Sequence, residues 1–243
     1  MNNRERFQEK RDFVILWLLE FRYSTKKILA QALGQDVSGM TRFFQRLEQL
    51  GVIAKTKSPF VYGHLVYLGR AGKDYAGLLS EKAESYPVTK GSVPSALNVH
   101  GLSVQLAVLR RSSLTVPFDF KSEWHLELET GSRPDALVTT GTTQTALEIE
   151  LAQKTQPRIF LGFLTHVQNM RGGHYDRVEY IFSNRALCAS YNKLFLEPSW
   201  PMYTRSKKGY ITRVMEAGEA ISAKADDPLI RERFTFTHEE LYL

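Results

Sequence analysis

Apolar positions recur with a helical period through the first fifty residues. Phe13, Val14, Leu16, Trp17 and Leu18 form an apolar run ending near Phe21; Ile28, Leu29 and Leu33 mark a second helix, which Ser24 can cap and Gly34 ends. After the turn Gln35-Asp36-Val37, Ser38 can cap a third helix whose core positions Met40, Phe43, Phe44, Leu47 and Leu50 repeat at helical spacing. Gly51 closes it as a C′ residue. Val52 to Thr56 and His64 to Leu68 then read as two strands joined by a loop containing Lys57-Ser58-Pro59 and Gly63. Helix, helix, turn, helix and basic hairpin predict a winged helix-turn-helix over residues 1–76. Thr41, Arg42, Gln45 and Arg46 point away from the apolar stripe of the third helix. Together with Ser38 at its start and Lys55 and Lys57 in the hairpin, they are the candidate DNA contacts.

Between residues 77 and 95 the pattern loosens around Pro87, Gly91, Ser92 and Pro94, which predicts a linker. A second domain is expected over 96–243. Ala96 to Arg111 has helical spacing, Phe118 to Leu128, Ala136 to Thr140 and Thr145 to Ala152 have strand character, and Pro157 can open a helix that Gly172-Gly173 stops. Arg177 to Phe182 predicts another strand and Ala186 to Leu196 another helix. That order describes an α/β domain. The last 40 residues carry no clear period.

Charge separates the two parts. Residues 1–70 hold 12 Lys or Arg against 6 acids, which accounts for the whole formal charge of +6, while the remaining residues carry 20 of each sign. The N-terminal part is therefore expected to face a polyanion, where Lys and Arg displace counterions condensed on phosphates. No stretch approaches a membrane span, and the charged start lacks the apolar centre of a secretory signal, so a cytoplasmic location is expected. Cys188, the single cysteine, can make neither an internal disulfide nor a zinc site and is expected to be a small apolar packing residue.

The candidate chemistry lies between Pro134 and Lys154. If the hairpin turn centres on Gly141-Thr142, Thr140 faces Thr143 and, counting outward, Asp135 faces Glu148. Strand alternation puts Glu150 on the face of Glu148 and turns Leu147, Ile149 and Leu151 the other way. Three carboxylates so close repel unless a cation holds them or one keeps its proton. Oxygen ligands of this kind suit Mg²⁺ or Mn²⁺. Asp135, Glu148, Glu150 and Lys154 are thus the candidate catalytic residues, the three acids the candidate metal ligands, and Lys154 the basic group that orients water or neutralises developing charge.

Pro134-Asp135 followed by Glu148-x-Glu150 resembles the PD-(D/E)xK nuclease superfamily. The chain departs from it at Glu150, where lysine is usual, and Lys154 is the candidate for a migrated lysine. The order winged helix, His100, Trp124 with Glu127, Pro134-Asp135 and Glu148-x-Glu150 is similar to the replication-relaxation group of plasmid proteins, and within it to the MobC relaxases (MOBC class) of mobilisable plasmids. That resemblance implies a restriction-endonuclease-like domain with a mixed central sheet flanked by helices behind the winged helix. It also implies His100 and Glu127 as residues supporting the metal side, and an activity that recognises an origin of transfer in double-stranded plasmid DNA and nicks one strand. The partners implied are an accessory mobilisation or coupling protein and a type IV secretion system.

The six histidines include no His-x-His pair, so the histidine-cluster, tyrosine-nucleophile chemistry of common relaxases is not expected. Tyr23 and His100 taken alone read as structural residues. Two other functions compete with a nickase. One is a non-catalytic replication or copy-number regulator with an inactivated nuclease-like domain, and the other is a winged-helix transcription factor with a ligand-sensing domain.

Overall fold

The computed structural model describes residues 2–59, 61, 63–85, 98–112, 118–126, 133–216, 219–220, 222–224 and 228–241. The chain divides into two compact units, Met1–Ser113 and Leu114–Leu241. It is a mixed α+β protein with a mixed five-stranded sheet in the second unit. Among the described residues no helix is long and apolar enough to cross a membrane.

In the first unit, α1 (Asn3–Phe21) starts at a capping box in which Asn2 and Glu5 satisfy each other's backbone N–H groups. It buries Val14, Ile15, Trp17, Leu18 and Phe21, while Leu16 is 45% exposed. Helix α2 (Lys26–Ala32) is capped by Thr25, whose hydroxyl accepts from Ile28 N, rather than by Ser24. Ser24 instead forms an isolated bridge with Val66, so its backbone is already committed to the sheet side. Helix α3 (Thr41–Gln49) has no side-chain cap: Ser38 spends its hydroxyl on Asp36, and Met40 holds the cap position. Phe44 and Leu47 are buried, whereas Leu50 is half exposed and does not join the core expected for it. Gly51 takes φ +66°, the left-handed conformation that ends α3 and feeds β1 (Ile53–Lys57). β1 pairs antiparallel with β2 (His64–Leu68) from Ile53↔Leu68 to Lys57↔His64.

The expected linker is structured at its beginning. Helix α4 (Arg70–Leu79) and a 3₁₀ segment (Glu81–Ser85) extend the first unit, and the rest of the stretch, 86–97, lies outside the described residues. Helix α5 (Asn98–Ser112), expected in the second domain, belongs to the first unit instead. Its fully buried Gln105 accepts from Trp17 Nε1 at 2.9 Å and donates to the Tyr23 carbonyl at 2.7 Å. Gly101 lies so close to the Tyr23 hydroxyl that a methyl group there would stand 2.2 Å from it. Tyr23 is 2% exposed, a structural residue.

The second unit is built on one five-stranded sheet. β3 (Phe118–Ser122), β4 (Ala136–Thr140) and β5 (Thr143–Glu150) form an antiparallel meander. β3 stops earlier than expected because Glu123–His125 turn into a 3₁₀ segment. Helix α6 (Gln156–Arg171), with Pro157 in its first turn, carries the chain to β6 (Arg177–Phe182), parallel to β5. Helix α7 (Arg185–Phe195) follows, capped by Asn184. The C-terminal part supplies β7 (Ser199–Pro201), β8 (Tyr203–Arg205), β9 (Ile211–Arg213), β10 (Met215–Glu216), β11 (Glu219–Ala220), β12 (Ser222–Lys224) and α8 (Pro228–Arg231). β13 (Phe234–His238) then adds to β6 in parallel.

The face of the sheet bearing Ala146, Val178, Tyr180 and Phe182 packs against α6 and α7. Phe163 is at its centre, with Tyr180, Tyr191, Phe195, Trp200, Phe234 and Phe236 around it at ring-centroid distances of 5.2 to 6.4 Å. Truncating such a ring to alanine costs about 3–5 kcal/mol. Cys188 is half-buried against the same cluster.

Candidate active site

The β4–β5 hairpin turns through Gly141, at φ +61°, and Thr142, with Thr140 opposite Thr143 and Ala136 opposite Leu147. The paired register ends there, one step short of Asp135 and Glu148. There the ladder breaks: Asp135 N donates to Leu147 O at 3.0 Å, and Asp135 Oδ2 accepts from Ile149 N at 2.7 Å. The aspartate thus marks the start of β4, its carboxylate standing in for a backbone carbonyl. Ile149 N–H fixes that carboxylate beside β5.

Glu148 and Glu150 lie on the face covered by α6 and α7, paired in register with Tyr180 and Phe182. Glu148 Oε1 is 3.1 Å from His166 Nε2. His166 is buried on α6, and its Nδ1 lies 2.7 Å from the Tyr175 hydroxyl, which also accepts from Asn169 Nδ2 at 3.1 Å. His166 thus bridges Glu148 and the Tyr175 hydroxyl through its two ring nitrogens.

Glu150 is 2% exposed, and its Oε1 is 2.6 Å from Lys154 Nζ. Burial raises its pKa to about 7; the Lys154 charge opposes that rise, and Glu148 and Asp135 add to it. Burial alone would lower the Lys154 pKa, but Glu150, Glu148 and Asp135 outweigh it, and the ammonium is held above its ordinary value. Tyr191, whose hydroxyl is buried beside Glu150, is pushed well above the usual tyrosine range by burial.

Glu148, Glu150 and Lys154 line one cavity of about 560 Å³, with His166, Tyr180 and Tyr191 among its walls, Arg158 from α6, and residues of the β8–β9 hairpin. The structure thus brings these three sequence candidates together, with Asp135 adjoining them through its bond to β5. Each acid already has a protein partner, and among the described residues no group of three or more His, Cys, Asp or Glu is arranged to hold a metal ion. His100 lies on α5 of the first unit, and Glu127 lies outside the described residues.

His166, Asn169 and Tyr175 were not among the sequence candidates. Their only signal is polar residues at i and i+3, His166 and Asn169, inside the apolar stripe of α6. Such residues are buried only when they have partners.

In the first unit, Ser38, Thr41, Arg42, Gln45, Arg46, Lys55 and Lys57 are all exposed. The Arg46 guanidinium rests over the Phe7 ring at 4.3 Å, and Glu48 pairs with Lys55 at 3.1 Å and with Lys26 at 2.5 Å. A cavity of about 710 Å³ between α2, the β1–β2 hairpin and α5 is also lined by basic residues, including Lys27, His64 and Arg110.

No family model matches the chain, and no curated protein or solved structure matches it.

Proposed function

We propose that the chain is a metal-dependent DNA-nicking protein. Its first unit would act as a winged-helix reader of double-stranded plasmid DNA. Its second would act as a PD-(D/E)xK-like nuclease that cuts one strand at an origin of transfer, as the MOBC-class relaxases it resembles do. The observation carrying this reading is the placement of Lys154. Its ammonium lies on Glu150, in the cavity that Glu148 lines, and Asp135 is bonded to Ile149 N between the two glutamates. On this reading Lys154 takes the part of the lysine usual at the position of Glu150.

The strand meander–helix–parallel strand order from β3 through β6 supports the same reading. Asp135 and Glu148 offer oxygen donors from adjacent strands, and this donor chemistry fits Mg²⁺ or Mn²⁺. Asp135 and Glu148 would hold the ion, with Glu150 as a further ligand. When bound, the ion neutralises charge at the reacting phosphate and lowers the pKa of a coordinated water. The protein's own part is positioning. Ile149 N–H orients Asp135, His166 orients Glu148, and Lys154 presents a cation to the developing negative charge.

A second reading, a non-catalytic replication or copy-number regulator, is favoured by one observation: every candidate acid is already satisfied within the protein. Incubating supercoiled plasmid carrying the cognate origin with the protein, with and without Mg²⁺ or Mn²⁺, separates the two. Metal-dependent conversion to the open circle supports the nickase. Tight origin binding with no conversion at any metal concentration supports the regulator.

A further inference from the structure

We propose that the β8–β9 hairpin is a binding platform for single-stranded nucleic acid over the acidic cavity. The stretch from Tyr203 to Arg213 contains Arg205, Lys207, Lys208 and Arg213 and no acidic residue. This local excess of positive charge is hidden by the neutral balance of the second unit as a whole. The hairpin is a defined projection. β8 and β9 pair from Tyr203↔Arg213 to Arg205↔Ile211, Ser206 N donates to Tyr210 O at 2.9 Å, and Gly209 N donates to Ser206 O at 2.9 Å. Gly209, at φ +85°, permits the turn, and Val214 N–H to Met202 O ties its base.

The hairpin packs on α6, and Tyr203 to Lys207 form one wall of the cavity whose other side holds Glu148, Glu150 and Lys154. From Thr204 to Tyr210 every side chain is exposed, and Tyr210 is 69% exposed although it is an aromatic residue at a turn. Cations flanking an exposed aromatic ring are what a single strand needs: phosphates neutralised one by one, and a base stacked on the ring. A cavity of about 560 Å³ admits a nucleotide but not a double helix, so the partner of this wall is an unpaired strand. The cations also answer an electrostatic problem. A polyanion does not approach buried carboxylates unless positive charge at the mouth outweighs them.

The inference builds on the nuclease reading, but its test does not need cleavage. Binding of a fluorescent single-stranded oligonucleotide is followed by anisotropy against salt concentration, without divalent metal, in the full chain carrying Glu148→Gln. Adding Arg205→Ala, Lys207→Ala and Lys208→Ala should weaken binding at least tenfold and reduce the salt slope by about 2 units, at roughly 0.7 per lost phosphate contact. Tyr210→Leu should weaken binding about 5- to 100-fold with the slope unchanged, the size of one lost base stack. Duplex binding should stay at the parent value in both variants. Unchanged affinity and slope in the triple variant would overturn the proposal, as would competition by polyglutamate as effective as by the oligonucleotide. Because cleavage is not read, a hairpin that fails this test leaves the nuclease reading standing, and an inactive nuclease leaves the strand platform standing.

Discussion

Lys154 Nζ lies 2.6 Å from Glu150 Oε1, a contact made after the chain has left β5 and before α6 begins. The pair places a cation where the strand itself supplies an acid. Its energetics are dominated by the burial of Glu150, whose side chain is 3% exposed, while that of Lys154 is 44% exposed.

Burial of Glu150 predicts a pH dependence of stability. Its folded pKa, about 7, lies above the ordinary value of 4.5, so between these values the folded state holds more protons than the unfolded state. The group's contribution is therefore fully present below about pH 4.5 and declines as pH rises toward 7, by at most about 3 kcal/mol. Urea unfolding of the wild type and of Glu150→Gln at pH 5, 6, 7 and 8 checks this. The wild type should lose stability across the window relative to the variant, whose curve should be flatter. Parallel curves would contradict a burial-raised Glu150.

The Gln105 bonds predict that α5 is integral to the first unit. Gln105→Ala removes the bonds to the Trp17 indole N–H and the Tyr23 carbonyl, at a cost of about 1–3 kcal/mol. A fragment of residues 1–113 should unfold cooperatively and lose that much stability with the substitution, whereas a fragment ending at residue 85 should be much less stable. Equal stability of the two fragments in thermal unfolding would show that α5 contributes nothing to this core.

For the first unit, Arg42→Ala and Arg46→Ala together should weaken duplex binding and reduce its salt slope by about 2 units, at roughly 0.9 per phosphate contact. Arg46 also rests on Phe7, so its stability effect is separated by measuring the melting temperature of the same variant. Lys55→Ala should change the slope less than Arg42→Ala, because Glu48 already neutralises Lys55. A larger effect at Lys55 would show that the Glu48 pair opens on DNA.

Where a segment's own period determines its structure, the sequence was legible. β2, β4 and β6 fall on the expected residues, and the Gly141-Thr142 turn sets the β4–β5 register out to Ala136 opposite Leu147. Tertiary packing hid the rest. The helical period of 98–112 shows an apolar face but not which core it joins, and α5 falls in the first unit rather than the second. Alternation in Leu-Glu-Ile-Glu-Leu marks Glu148 and Glu150 as facing away from the leucines, yet that face is the one α6 and α7 cover. That cover, which no alternation reveals, buries Glu150. His166 could not be paired with Glu148 from the sequence, since the two meet only when α6 folds back across β5. β7 to β12 are two or three residues long, too short for any alternation to register, which is why the β8–β9 hairpin carries no signal beyond its charge.

If Asp135 and Glu148 form a metal-dependent cleavage site, nicking of supercoiled origin plasmid in Mg²⁺ or Mn²⁺ by the wild type, Asp135→Asn and Glu148→Gln reads it out. Both substitutions preserve side-chain shape, and origin binding through the first unit serves as the control for folding. The account predicts open-circle product from the wild type, at least a hundredfold less from either variant, and unchanged origin affinity in all three. Nicking by Asp135→Asn and Glu148→Gln at the wild-type rate, with the same metal dependence, would contradict it.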